Sequence, residues 1–191
     1  MNIGIYLYDD AEVLDFSGPF EVFSTASRLA CNDWRVFLVA EAGRVNARGG
    51  FQVLSHWQLE DHPPIDVLVV VGGIHTAEVR KPRVIEWVRR TAGSATTVAS
   101  VCTGAFLLAE AGLLDGLTVT THWEDIPELR VSYPGLTVVG DRRWVAQGRF
   151  VTSAGISAGI DMSLYLVSRL GSMELAERTA RQMDYDWRQK T

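Results

Sequence analysis

Only two cysteines and four histidines occur in 191 residues, so nucleophilic chemistry has few candidates. Cys102 has the most distinctive setting. It ends the β-branched run 96–101 (TTVASV) and is followed at once by Thr103-Gly104-Ala105, where a helix can open. Small Ser100 lies two residues before it and Gly104 two after. A sharp strand-to-helix turn needs such neighbours, because the nucleophile's backbone is crowded on both sides. A thiol at the helix N-terminus meets partial positive charge that favours thiolate, and the N–H of Thr103 is then free to face an oxyanion. The competing reading is a structural thiol packed as a small apolar side chain, and the pattern alone leaves both open. Cys31, among Ala30, Asn32 and Asp33, has no such turn.

Three further groups lie at predicted strand ends. Gly72-Gly73 follows the run 66–71 (DVLVVV). Two glycines let a substrate approach the backbone, which makes the N–H of Gly73 or Ile74 a candidate second oxyanion donor, with a simple tight turn as the alternative. Asp9, Asp10, Glu12 and Asp15 follow the first strand. Asp15 is either a helix N-cap or a carboxyl aimed at Cys102. The helix end would keep it ionised, whereas a nearby thiolate would raise its pKa. His122 follows the run 117–121 and is the histidine best placed to assist the thiol. His56, His62 and His75 read as surface or turn residues. No His, Cys, Asp or Glu cluster has metal-ligand spacing, so neither metal nor cofactor is expected.

The elements that must position these groups alternate. Strands are expected at 3–8, 35–40, 66–71, 96–101, 117–121, 136–139 and 144–151, with a hairpin over 43–54. Helices are expected from Asp15 (Gly18-Pro19 in its first turn) and at 84–90, 103–111, 124–133, 157–170 and 174–183. Alternation of this kind predicts an α/β fold, a mainly parallel sheet with helices on both faces and sites beyond the carboxyl ends of the strands. No repeat, linker or low-complexity stretch divides residues 1–191, so a single domain is expected.

Composition excludes other classes. The net charge is −5, and no basic patch argues for nucleic acid. The cluster Arg80, Lys81, Arg83, Arg89 and Arg90 is interrupted by Pro82 and Glu86 and reads as a solvated helix face. The start MNIGIYLYDD lacks a basic n-region, and no apolar run reaches twenty residues. With neither leader nor membrane span, and too few cysteines for a disulfide framework, the cytoplasm is the expected location.

Six ordered segments carry a resemblance: 14–23 (LDFSGPFEVF), 71–73 (VGG), 99–105 (ASVCTGA), 111–116 (AGLLDG), 120–123 (TTHW) and 152–155 (TSAG). In these the chain resembles the ThiJ/PfpI superfamily, whose domains are like class I glutamine amidotransferases. The resemblance covers nearly the whole chain and implies a flavodoxin-like three-layer sandwich with a nucleophile elbow. Within the superfamily the chain is most similar to isonitrile hydratase and to the sensing half of AraC-type regulators. The second would require a helix-turn-helix module, for which no room is expected after the last helix. The protease-like branch has histidine directly after the cysteine, where Thr103 stands here. Cys102, Thr103 and Asp15 match the hydratase pattern. The resemblance therefore implies cofactor-free hydration of a small-molecule isocyanide, with Cys102, Asp15 and Thr103 catalytic and Gly72, Gly73, Ile74 and His122 around the substrate. A glyoxalase-like activity and a non-catalytic ligand or redox sensor are the rivals. Relatives are usually homodimers, so a homodimer is expected, with Trp57, Trp87 and Trp144 as candidate interface surface.

Overall fold

The computed structural model describes residues 1–30 and 33–189; Cys31 lies outside the described residues. β1 (Asn2–Tyr6) leads into α1 (Val13–Ala30), then β2 (Arg35–Ala40) and a hairpin of β3 (Arg44–Ala47) and β4 (Phe51–Leu54). Next come β5 (Trp57–Gln58), β6 (Val67–Val70), α2 (Pro82–Ser94), β7 (Thr97–Val101) and α3 (Gly104–Glu110). The remainder is β8 (Thr118–Val119), α4 (Ile126–Ser132), β9 (Thr137–Val138), β10 (Trp144–Gln147), β11 (Phe150–Ser153), α5 (Ala158–Leu170) and α6 (Met173–Gln182).

The main sheet has seven strands in the order β10-β11-β7-β6-β1-β2-β5. Every pairing is parallel except β10 with β11. Val67 to Val70 are all buried, as expected of a strand covered on both faces. Helices α1, α5 and α6 pack together as one layer, and α2 packs with α3. Numbered along the chain, the five central parallel strands run 2-1-3-4-5, the flavodoxin-like order, whose switch point lies between the first and third. Here that point lies between β1 and β6. The chain segments leaving these two strands carry Asp15 and Gly72-Gly73, and Cys102 leaves the adjacent β7.

Several local expectations change. The first helix begins at Val13, so Pro19 lies inside it rather than in its first turn. Residues 144–151 form two strands, because Gly148 takes a left-handed turn (φ 62°) that reverses the chain. Residues 117–121 contribute only Thr118–Val119, which pair in parallel with β9 in a separate two-stranded sheet. Trp87 and Trp144 are core residues; the Trp87 indole donates to His62 Nε2 at 2.9 Å and Trp144 packs on Tyr165. Only Trp57 of the three proposed interface tryptophans is exposed. His75 is also buried, its ring 4.1 Å from that of Phe106, so apolar packing rather than a turn accounts for it. Among the described residues, no helix is long and apolar enough to cross a membrane.

Candidate functional site

Cys102 follows β7 directly and has φ 55°, a left-handed conformation that costs a non-glycine residue about 1–3 kcal/mol. Its backbone is held from both sides. Its N–H faces the carbonyls of Ser153 and Ala154 at 3.2 and 3.3 Å, and Thr121 Oγ1 donates to its carbonyl at 2.8 Å. The glycines around it are steric requirements: a Cβ on Gly104 would lie 2.2 Å from the Val70 carbonyl oxygen, and one on Gly72 2.5 Å from the Thr103 nitrogen. The elbow therefore closes against the end of β6, and Cys102 is left 7% exposed.

Asp15 projects from the first turns of α1 and is fully buried. Its Oδ2 accepts the Gly72 N–H at 3.1 Å, while Oδ1 has no hydrogen-bond partner among the described residues. Burial pushes its pKa up to about 7; the Gly72 N–H opposes this, the Glu12 charge adds to it, and the Cys102 thiol and Ile156 N–H oppose it. Burial likewise pushes the Cys102 thiol well above its ordinary range, reinforced by the Asp15 charge and opposed by the N–H of Thr103 and Ile156. The helix ends had pointed the other way, towards an ionised Asp15 and a ready thiolate. Desolvation wins because the partial charge at a helix end acts only over its first turn and returns less than burial removes. The Asp15 charge thus makes the Cys102 thiol harder to ionise, while the thiol, by donating to the carboxyl, favours the Asp15 carboxylate.

The oxyanion donors are also redistributed. Thr103 Oγ1 accepts from the Gly73 N–H and donates to the Gly73 carbonyl, both at 2.9 Å. The Ile74 N–H is spent on the Asp10 carbonyl at 3.2 Å, with the Ile74 side chain exposed. Neither of these amides is free, and the Thr103 hydroxyl is itself engaged. The amides acting on the sulfur are the N–H of Thr103, which was expected to face a substrate oxyanion, and the N–H of Ile156. Ile156 is a β-branched residue held at φ 55°, a strained conformation of the kind that clusters at functional sites.

Cys102, Thr103, Gly73 and His122 line one cavity of about 520 Å³, and Ile156 completes its floor. Gly72 and Asp15 lie immediately behind it. Its walls hold four charged residues: Glu12, from the acidic loop after the first strand, Glu124 and Asp125, and Arg48, which sequence reasoning did not connect with the site. Arg48 sits at the turn of the β3–β4 hairpin and pairs with Glu12 at 3.4 Å. His122 Nδ1 lies 3.2 Å from Asp125 and 3.9 Å from Glu124. A Cβ on Gly155 would come 2.1 Å from the His122 ring, so glycine is needed for the imidazole to seat there. A larger hollow of about 720 Å³ beside Trp144 and Tyr165 has no cysteine, histidine or carboxylate in its lining. Among the described residues, no group of three or more His, Cys, Asp or Glu could hold a metal ion.

A model of the DJ-1/PfpI family matches residues 1–169. Isonitrile hydratase of Pseudomonas putida is 33% identical, over 97% of this chain and 78% of that protein. The HTH-type transcriptional regulator CdhR of Pseudomonas aeruginosa is 35% identical over 89% of this chain. The chain spans about half the length of that regulator, 51%. Among solved structures, a ThiJ/PfpI family protein from Pseudomonas syringae superposes with a TM-score of 0.87 at 25% identity, over 97% of this chain and 75% of that one. An AraC family transcriptional regulator from Pseudomonas putida superposes at 0.85 and 21% identity, over 95% of this chain and 98% of that one, a likeness of fold alone.

Proposed function

The chain belongs to the DJ-1/PfpI family, and from that premise we propose that it is a cysteine-dependent enzyme that hydrates an isocyanide to an N-substituted formamide. One observation carries the reading: Cys102 lines a cavity in an elbow whose next residue is Thr103, and the buried carboxyl of Asp15 lies behind it, accepting the N–H of Gly72, which itself abuts Cys102. A carboxyl with a pKa of about 7 can both accept and return a proton near neutrality.

The proposed sequence balances. Asp15 takes the thiol proton as the sulfur attacks the terminal carbon of R–N≡C, and then delivers that proton to the same carbon. The product is a thioimidate, Cys–S–CH=N–R. Water adds across C=N, placing hydroxyl on carbon and hydrogen on nitrogen. Loss of the sulfur leaves R–NH–CHO, and the hydroxyl proton returns the thiol. The N–H groups of Thr103 and Ile156 steady negative charge near the sulfur. The Thr103 hydroxyl holds Gly73 in place, and His122, oriented by Asp125, takes the proton of the attacking water.

Conversion of cyclohexyl isocyanide to N-cyclohexylformamide, with methylglyoxal as the competing substrate, tests the reading. The Cys102→Ala variant should lose turnover entirely and Asp15→Asn most of it. Full activity in Cys102→Ala overturns the scheme. The similarity to CdhR favours a second reading, a ligand or redox sensor. Mild peroxide that adds two oxygens to Cys102, in a protein that turns over neither substrate, would support it.

A further inference from the structure

The Cys102 cavity has a charge that the hydration scheme does not use. Three carboxylates in its lining, Glu12, Glu124 and Asp125, are set against one guanidinium, Arg48, and one imidazole, His122. Arg48 is already paired with Glu12. Among the described residues the remaining two carboxylates pair with His122, so the lining is net negative whether or not the imidazole carries a proton. The field reaches the reacting atoms: Asp125 acts on the Cys102 sulfur and Glu12 on the Asp15 carboxyl. Behind the sulfur, the fully buried Asp15 keeps one carboxylate oxygen, Oδ1, with no hydrogen-bond partner among the described residues. The exposed ring of Trp123, 5.7 Å from that of His122, adds an aromatic face beside the carboxylates, and an aromatic face attracts organic cations.

From this lining we propose that the Cys102 cavity selects ligands bearing an organic cation, such as an alkylammonium group, with Glu124 and Asp125 as the groups that receive the positive charge. A metal ion does not fit, since no cluster of three ligating residues exists among the described residues. The proposal rests on this cavity being the ligand site, as in the hydratase reading, and places the cationic group at the Glu124–Asp125 wall while the reactive carbon faces Cys102. A concave site lined by one sign of charge concentrates ligands of the opposite sign.

Two thiol reagents of similar size read this directly. (Trimethylammonium)ethyl methanethiosulfonate and sulfonatoethyl methanethiosulfonate each form a mixed disulfide with a cysteine and release methanesulfinate; one brings a positive charge, the other a negative. Rates are followed at the Cys102 peptide by mass spectrometry and normalised to the same reagents on glutathione. Neutral methyl methanethiosulfonate serves as the control for access to the thiol. At low ionic strength the normalised preference for the cationic reagent should be about tenfold or more. It should shrink towards one at about 1 M salt and in the doubly substituted Glu124→Gln/Asp125→Asn protein, and Glu124→Gln alone, at an exposed side chain, should lower it without endangering the fold. A normalised ratio of one or less overturns the proposal. So does a cationic preference that both the salt and the double substitution leave intact, or labelling by the neutral control alone. Turnover of cyclohexyl isocyanide without charge preference would refute the cation site and keep the hydratase reading. Charge preference without turnover would do the reverse.

Discussion

Replacing Asp15 by asparagine should raise the stability of the protein relative to wild type as the pH rises, while removing most of its turnover of isocyanide. In the unfolded chain this carboxyl ionises near 3.8, and in the folded chain near 7. Between those values the folded state holds a proton that the unfolded state has released. Stability therefore falls as pH rises from about 4 to about 7 and stays lower above that. At 1.36 kcal/mol per pH unit, the gap is worth up to about 4 kcal/mol. An asparagine keeps the shape and an oxygen for the Gly72 N–H, carries no charge, and does not titrate. Its own burial cost is the same at every pH, so the informative quantity is the slope. The stability of Asp15→Asn minus that of the wild-type protein, from urea unfolding, should grow by about 2–4 kcal/mol between pH 4 and pH 8. A difference that is flat across this range, or that shrinks with rising pH, would mean that Asp15 does not bear a raised pKa and that the proton relay assigned to it is wrong.

Two other outcomes follow from the same contacts. Because the Asp15 charge raises the Cys102 pKa, Asp15→Asn should speed alkylation of Cys102 by iodoacetamide several-fold at pH 8 even as isocyanide turnover collapses; equal or slower alkylation would show that the carboxylate does not restrain the thiol. The Thr103 hydroxyl bridges the Gly73 N–H and carbonyl, so Thr103→Val, nearly isosteric, should cost about 1–3 kcal/mol in chemical denaturation, while Thr103→Ser should recover most of that loss.

The sheet was legible in the sequence because its strands are short apolar runs with clean ends. Residues 35–40 were bounded correctly at both ends, and the elbow was visible because its small residues, Ser100 and Gly104, flank Cys102 in a contiguous stretch. Errors arose where one residue overrode a local pattern. Gly148 turns what reads as a single strand over 144–151 into a hairpin. At Pro19, packing of α1 against α5 and α6 outweighed the lost hydrogen bond that usually keeps proline near a helix start. The charged wall of the cavity was legible only in part: the acidic loop with Glu12 was placed at a strand end, but Arg48 was not connected with the site. Glu12, Arg48, Glu124 and Asp125 come from three distant stretches, and only the folded chain brings them together. Ile156 carried no signal either, since a left-handed backbone is usually announced by glycine or asparagine. The Cys102 pKa was read in the wrong direction, and that of Asp15 was left open, for a related reason: helix ends are visible in sequence, and burial depth is not.

The β3–β4 hairpin stands outside the main sheet. It is tied to the acidic loop by a few backbone contacts, from the Asp10 N–H to the Asn46 carbonyl, the Asn46 N–H to Asp9 Oδ1, and the Arg48 N–H to the Ala11 carbonyl. Its turn nonetheless supplies Arg48 to the cavity. The nucleophile and the wall that greets the ligand are thus written in separable stretches of chain. Evolution can redraft the hairpin turn, in length or in charge, and change which molecules are admitted while the elbow and its proton partner stay as they are. One scaffold of this kind can supply both catalysts and receptors by revising the doorway and leaving the hearth untouched.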